Sequence, residues 1–415
     1  MPLRVLFINQ HFAVPHQGAG TFPFTVMSEL VRRGHEVTVL TTDQHSSHGR
    51  SYVTEENGIC VHWACIPYAN RMRYWRRIVA FFEFTAWCLA KIRRLAPFDV
   101  VYASSTPLTV ALPGVYASRR WAVPFVFEVR DLWPEVPIAM GALRNPVSIA
   151  AARWLERFAY RNAAFVIARS PMMADGVVET GYPRERVRVV PNACDFRRFD
   201  VPAEAGRSFR QENQWLADRP LVLYAGTFGA VNDCSYIVRL AAEVEPLLPE
   251  ARFLLVGQGR EENLIRNLAQ ELGVLDRTLF IHPPVPKSEV PRLFSAANLT
   301  MSVTADIPAL HKNCANKFFD SLAAGRAIAI NHEGWLADLI REHDCGLVLP
   351  ARDIPAAARM LAEALRNRQW LREAGRRAYQ LGRKQFDAIR CIDEIEAVLY
   401  AAVGDHRITY RRAAA

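Results

Sequence analysis

Residues 221–229 read LVLYAGTFG, and a helical pattern follows from Asp233. Five apolar, strand-forming residues that stop at a glycine turn and give way to a helix make one βα unit of a parallel sheet. The device recurs where residues 253–256 run into Gly257-Gln258-Gly259-Arg260 and a further helical segment. At such turns backbone N–H groups and the positive end of a helix dipole point at one place, which suits an anion. A single tight turn needs no ligand to explain it. Two in one domain, one of them beside the cationic Arg260, point to phosphate binding.

The alternation extends in both directions. Downstream, strands are expected at 279–282, 299–303, 327–330 and 346–349, with helices at 233–245, 261–272, 290–296, 315–324 and 354–367. Upstream, strands at 4–9, 36–41, 100–103, 125–129, 165–168 and 187–190 alternate with helices that include 22–33, 107–119 and 147–163. This pattern predicts an α/β chain of two Rossmann-like domains with parallel, doubly wound sheets facing a central cleft, the natural place for a small molecule. The polar segment 195–220 is the expected interdomain connection, and helices at 370–385 and 388–402 follow the second sheet, the last crossing back to the first domain.

Composition supports two folded domains. At 415 residues the chain exceeds the roughly 250–300 residues of one core, and 51% hydrophobic with 22% charged residues is far from a disordered balance. No apolar run approaches the roughly 18–20 residues of a membrane span, and strand-like residues 5–8 follow the start directly, so neither signal peptide nor anchor is expected and the location is read as cytoplasmic. The eight cysteines are scattered without a C-x-x-C pair or zinc-ligand spacing and read as reduced thiols. A net charge of +9 suits an anionic partner, but no nucleic-acid module is present and no nucleic-acid partner is expected.

Three further segments carry candidate chemistry. Residues 313–325 open a helix after a polar loop and stop it at Gly325; Lys317 and Asp320, three apart, share its N-terminal face. A solvated ion pair would look the same, yet near a diphosphate Lys317 would neutralise charge while Asp320 accepts hydrogen bonds from ribose hydroxyls. After the first strand, Gly18-Ala19-Gly20-Thr21 forms a ligand-shaped loop with Thr21 as N-cap and Pro23 in the first turn. It is not G-x-G-x-x-G, and no acid ends the second strand, so a nicotinamide dehydrogenase is not supported. Residues 128–135, EVRDLWPE, put Arg130 and Asp131 at a strand's carboxyl end, either as ligand groups or as a pair bracing the Trp133-Pro134 turn. No D-x-D occurs, so neither metal nor other cofactor is expected; a leaving diphosphate would be stabilised by amide dipoles with Arg260 and Lys317.

Together the first glycine loop, RDLWPE at 130–135, YAGTFG at 224–229, VGQG at 256–259 and NKFFDSLAAG at 316–325 resemble the family 4 retaining glycosyltransferases of the GT-B fold, over essentially the whole chain. The nearest branch is that of bacterial O-antigen and capsule assembly, including the N-acetylfucosamine transferase type. The resemblance implies an acceptor-side domain at 1–193, a nucleotide-sugar domain at 194–387, a returning helix at 388–403 and a tail at 404–415. It implies donor binding by Gly18, Gly20, Gly226, Thr227, Gly229, Gly257, Arg260, Asn316, Lys317 and Asp320, with Pro284, Val285 and Pro286 lining the base pocket. Asp320 takes the place of the second acid of the family's E-x7-E pattern. The first falls at Lys312, which leaves the sugar-ring contact to the 312–316 loop. The family's Arg and Lys after the second domain's first strand are replaced around Thr227 and Asn232, so Lys317 and Arg260 would supply that charge. The expected catalytic set is Asp131, Arg130 and Lys312, with Asp131 facing the acceptor or reacting sugar. Configuration would be retained by front-face displacement in which the donor's phosphate helps deprotonate the attacking hydroxyl.

Residues 71–94, RMRYWRRIVAFFEFTAWCLAKIRR, place bases around an aromatic, apolar centre. Such a helix can lie in a membrane interface, and Arg73, Trp75, Arg76 and Arg77 are the expected contacts on an anionic surface. The expected partners are therefore a nucleotide-sugar donor, UDP-linked ahead of GDP or dTDP, a polyprenyl-diphosphate-linked acceptor and the inner membrane face. A UDP-sugar 2-epimerase of the same architecture and a catalytically silent nucleotide-sugar-binding subunit are the alternatives.

Overall fold

The computed structural model describes residues 1–14, 22–44, 49–69 and 72–414. The chain divides into two compact units, Met1–Pro191 with Cys391–Ala415, and Asn192–Arg390. The first holds an eight-stranded sheet of β1 (Arg4–Ile8), β2 (Glu36–Asp43), β3 (Tyr52–Glu56), β4 (Ile59–Cys65), β5 (Val100–Ser104), β6 (Phe125–Val129), β7 (Phe165–Ala168) and β8 (Val187–Val189). Their order is β3-β4-β2-β1-β5-β6-β7-β8. Neighbours are parallel except β3 and β4, which form a hairpin. Its two-residue loop is Asn57-Gly58, both with positive φ (52° and 78°), the conformation a two-residue hairpin needs to match strand twist. β3 and β4 are additions to the strands expected from the sequence. β5 and β6 are buried along their whole length, the mark of a parallel sheet covered on both faces.

The second unit holds β9 (Leu221–Ala225), β10 (Arg252–Val256), β11 (Leu279–His282), β12 (Leu299–Ser302), β13 (Ala327–Ile330) and β14 (Gly346–Val348), all parallel. Their order is β11-β10-β9-β12-β13-β14, the doubly wound dinucleotide-fold order with its reversal between β9 and β12. In the first sheet the reversal lies between β1 and β5. Each reversal opens a crevice at the strands' carboxyl ends, where ligands of open α/β sheets bind.

The segment expected as an interdomain connection is instead structured within the second unit. It carries helices Phe196–Phe199 and Ala203–Glu212, and Phe199 and Phe209 enter that unit's apolar core. The closing helix Ala388–Ala414 joins the first unit from Cys391 onward. There Arg33 Nη2 lies 2.7 Å from Asp393 Oδ1, and His35 Nε2 lies 2.8 Å from Glu396 Oε1. Helix Tyr74–Ile92 buries Ala80, Phe84, Cys88 and Ile92, one residue per turn, against the first core.

Candidate functional site

In the second unit, β9 delivers Gly226 to the reversal point, and β10 delivers Gly257 beside it. A Cβ on Gly257 would stand 1.8 Å from the Gly226 carbonyl oxygen, and one on Gly226 would stand 2.2 Å from Lys317 Cε. Gly226, Gly257 and Lys317 therefore converge; backbone contact accounts for Gly257, and the Lys317 side chain accounts for Gly226. The turns are also hydrogen-bonded to each other: Gly226 N–H donates to Val256 at 2.9 Å and Phe228 N–H to Gln258 at 3.0 Å. Among the described residues, the N–H groups of Thr227 and Gly229 make no backbone bond and are the ones this turn can offer an anion. The Thr227 carbonyl is held by Tyr224 Oη at 2.9 Å and Asn232 Nδ2 at 3.0 Å.

Lys317 sits at the start of helix Asn316–Ala323, whose N-cap residue Ala315 supplies no side-chain oxygen to the first amides. Its ammonium donates to Asn232 Oδ1 at 3.1 Å and lies 5.2 Å from the Tyr224 ring centroid. Burial pushes its pKa down, with Cys234 and Asp320 opposing. Asn232 is thus the residue that places the cation. Asn316 is exposed at the helix start, and Arg260 is exposed beyond the second glycine turn.

One turn along, Asp320 Oδ1 lies 3.8 Å from Arg198 Nη1. Burial pushes its carboxyl up, while Arg198 and Lys287 pull it back. Lys287 is pushed down to about 8 by burial and by the Arg198 charge. Asp195 completes the cluster: its carboxylate caps helix Phe196–Phe199 through Arg198 N–H at 3.2 Å. Pro284 and Val285 precede Lys287 on the β11 exit loop; Val285 packs on the core and Pro284 is exposed. Arg198 and Lys287 were not among the residues singled out from sequence. Their one signal was position: Arg198 lies in the short helix Phe196–Phe199 of the polar segment, and Lys287 in the loop at a strand's carboxyl end.

Lys312 caps the short helix Pro308–His311 and is half-buried. Around it the β12 and β13 exit loops are tied by Asn331, which accepts from Thr304 N–H and donates to its carbonyl, both at 2.9 Å. The rings of His311 and His332 stack at 5.4 Å, and burial pushes both imidazoles down. These two histidines also escaped the sequence reading.

In the first unit, Asp131 Oδ2 accepts from Thr106 Oγ1 at 3.1 Å, and Arg130 N–H donates to Ser105 Oγ at 3.0 Å. Burial pushes the Asp131 carboxyl up, against the Arg130 charge. The bracing pair in this region is Glu128 with Arg169. Arg169 Nε donates to Glu128 Oε1 at 2.9 Å, Tyr102 donates to the other carboxylate oxygen, and Arg169 Nη1 holds the carbonyls of Val190 and Pro191 at 3.0 and 3.2 Å. Gly18 and Gly20 lie outside the described residues.

On helix Tyr74–Ile92, Trp75 (53% exposed), Val79 (43%) and Phe82 (54%) form an outward stripe at i, i+4, i+7. Arg73 and Arg76 are exposed beside it, and the Arg76 guanidinium lies 4.7 Å from the Trp75 ring centroid. Arg77 turns away from the stripe and donates to Tyr68 Oη at 2.9 Å.

A cavity of about 540 Å³ at the opposite, amino edge of the second sheet is lined by Arg210, Arg326, Arg368 and Arg372. Two of these arginines serve the fold: Arg210 and Arg326 donate to the carbonyls of Ala296 and Ser295, at the C-terminal end of helix Val290–Ala296. Among the described residues, no group of three His, Cys, Asp or Glu side chains is placed to hold a metal.

Comparison with known proteins places the chain in a family. Residues 17–193 match the glycosyl transferase 4-like domain and residues 207–381 the glycosyl transferases group 1. The chain is 24% identical over 298 residues to 2-deoxystreptamine glucosyltransferase of Streptomyces kanamyceticus, covering 68% of this chain and 74% of that one. It is 22% identical over 276 residues to GDP-mannose-dependent alpha-(1-6)-phosphatidylinositol monomannoside mannosyltransferase of Mycolicibacterium smegmatis, covering 64% and 66%. In fold it is similar to Anabaena Alr3699/HepE in complex with UDP-glucose, with a TM-score of 0.72 at 16% identity, covering 96% of this chain and 100% of that one. With both halves matched in the family's own order and both sheets in the expected topology, this chain is a glycosyltransferase of the family 4 type, with the GT-B fold.

Proposed function

We propose that this chain is a retaining transferase that moves a hexose or acetamido sugar from a UDP-sugar to a polyprenyl-diphosphate-linked saccharide, at the inner membrane face, in cell-surface polysaccharide assembly. One observation carries the reading: a half-buried lysine, placed by Asn232 and capping no carboxylate, stands over the glycine turn at the reversal point of a dinucleotide-type sheet. A buried cation there stabilises charge that develops on a leaving diphosphate more strongly than one in water would. Asp320, one helical turn on, accepts the ribose hydroxyls, and Lys287 with Pro284 and Val285 borders the base. Retention needs no enzymic base when the donor's own phosphate accepts the hydroxyl proton, so Asp131 and Arg130 orient the acceptor. Lys312 and the adjoining loop face the donor sugar.

The lipid-linked acceptor and membrane location are supported by the exposed Trp75–Val79–Phe82 stripe with its flanking arginines. They are supported also by a relative whose name specifies a phosphatidylinositol acceptor. UDP is supported by the UDP-glucose complex of a structure with the same fold. The test is release of UDP from candidate UDP-sugars with and without a lipid-linked saccharide. Acceptor-dependent release is expected; release that ignores the acceptor, or full donor affinity in Asp320→Ala, refutes the assignment.

A further inference from the structure

Helix Tyr74–Ile92 has an inward side as well as the outward stripe. Arg77, in its first turn, is bonded to Tyr68 Oη, and its cation lies 5.5 Å from the Tyr68 ring centroid. The same ring lies 4.7 Å from the His11 imidazole. His11 follows β1 at the first sheet's reversal point, in a loop pinned by neighbours. The hydroxyls of Thr41 and Thr42 donate to the Gln10 carbonyl at 3.3 and 2.7 Å, and His11 N–H donates to Asn9 Oδ1 at 2.9 Å. Gln44 Nε2 meets His11 Nδ1 at 3.0 Å; with the amide as donor, the imidazole proton sits on Nε2.

The charge balance of this corner is uneven. Burial, with the nearby charges of Arg77 and Arg130, pushes His11 down to about 4, so the ring is a neutral N–H donor at physiological pH. Among the described residues neither Arg77 nor Arg130 is ion-paired with a carboxylate. Glu128 is bonded to Arg169 and Tyr102, and Asp131 accepts from Thr106 Oγ1. A partly buried guanidinium such as that of Arg77, with no carboxylate bonded to it, is costly to desolvate, and Arg130 feels the charges of Glu128 and Asp131 without a bond to either. The fork geometry of a guanidinium is matched by phosphate oxygens, which accept bidentate, charge-assisted hydrogen bonds.

We propose that His11, Arg77 and Arg130 form a subsite for the diphosphate of an isoprenoid-linked acceptor, with helix Tyr74–Ile92 presenting Arg77 to the diphosphate and its aromatic stripe to the lipid surface. The inference rests on the lipid-acceptor reading above. A donor diphosphate shares the chemistry, but the donor has its own cation in Lys317, whereas Arg77 is carried by the helix whose other side is exposed and aromatic. The arrangement reassigns Arg77 from a membrane contact to a ligand of the acceptor's charged head.

Calorimetric titration of the full chain, first saturated with UDP so that its donor site is filled, tests this with farnesyl diphosphate and inorganic pyrophosphate as probes. Arg77→Gln and Arg130→Gln should each weaken farnesyl diphosphate by about tenfold or more, the worth of one charged hydrogen bond, while UDP affinity stays within about twofold. Arg77→Lys keeps the charge and should lose less, which separates loss of the subsite from loss of the fold. Unchanged farnesyl diphosphate affinity in both glutamine variants overturns the proposal, as does a loss confined to UDP. Arg77-dependent pyrophosphate binding with no gain from the prenyl chain upholds the diphosphate subsite and refutes the lipid acceptor, so the two readings fail separately.

Discussion

The two units share a doubly wound sheet and a reversal point but equip it in opposite ways. The second unit uses backbone: short glycine turns so close that a methyl group at Gly257 would meet a carbonyl at 1.8 Å, with one lysine reaching in from a helix start. The first uses side chains. Arginines 77, 130 and 169, Glu128, Asp131 and His11 stand at its carboxyl edge, and one helix leaves an aromatic stripe in solvent. On the proposed function, a diphosphate of fixed geometry would be served by amides and Lys317, while a surface that meets variable acceptors would be built from groups exchangeable one at a time. In both, the charged groups that shape the edge are supported by partners distant in sequence.

The contrast breaks most severely at the buried pair. Glu128→Ala leaves the Arg169 guanidinium uncompensated in the first core and should destabilise the protein by about 3–5 kcal/mol, read by denaturant unfolding. No single ion pair of the second unit should cost as much, because those recorded there are at least partly exposed. Lys317→Met should lower kcat/KM for the donor by about a hundredfold or more at nearly unchanged melting temperature, the loss typical of one preorganised electrostatic donor. A matching loss of stability would mean that the lysine is structural.

The pH dependence sharpens the comparison further. Lys287 is held at about 8, below its ordinary 10.5. Below pH 8 it is protonated in folded and unfolded chains alike; between 8 and 10.5 only the unfolded chain keeps the proton, so its contribution to stability rises with pH in that window. Nucleotide affinity should move the other way, falling as pH rises through 8 and the positive charge is lost. Lys287→Arg should flatten that fall in titrations with UDP between pH 7 and 9.5. The smallest effect on the isolated protein is expected from Trp75→Ala with Phe82→Ala. Both side chains are more than half exposed, so melting should shift by no more than about 0.5 kcal/mol equivalent while sedimentation with anionic vesicles declines.

Much of the second unit's site was legible in the chain. LVLYAGTFG and VGQG marked two strand exits, and the i,i+3 spacing of Lys317 and Asp320 placed them on one helical face. What they touch was not legible: Asn232 is 85 positions from Lys317. The Asn57-Gly58 hairpin carried its own turn signal, but β3 is a polar edge strand whose alternation YVTEE offers no strong apolar period. The 195–220 segment looked like a linker because its few apolar residues are widely spaced, yet Phe199 and Phe209 anchor it to a core made elsewhere.

Local rules therefore decided this protein's class. Apolar runs, glycine turns and helical periods depend on neighbours a few residues apart, so the alternating βα plan and the phosphate-type turns are properties of the sequence alone. Strand order decided the rest. Only when β1 lies beside β5, and β9 beside β12, do His11, Arg77 and Arg130 share one edge and Lys317 meet Gly226. The free energy of that ordering comes from burying whole sheets rather than from any short stretch of chain.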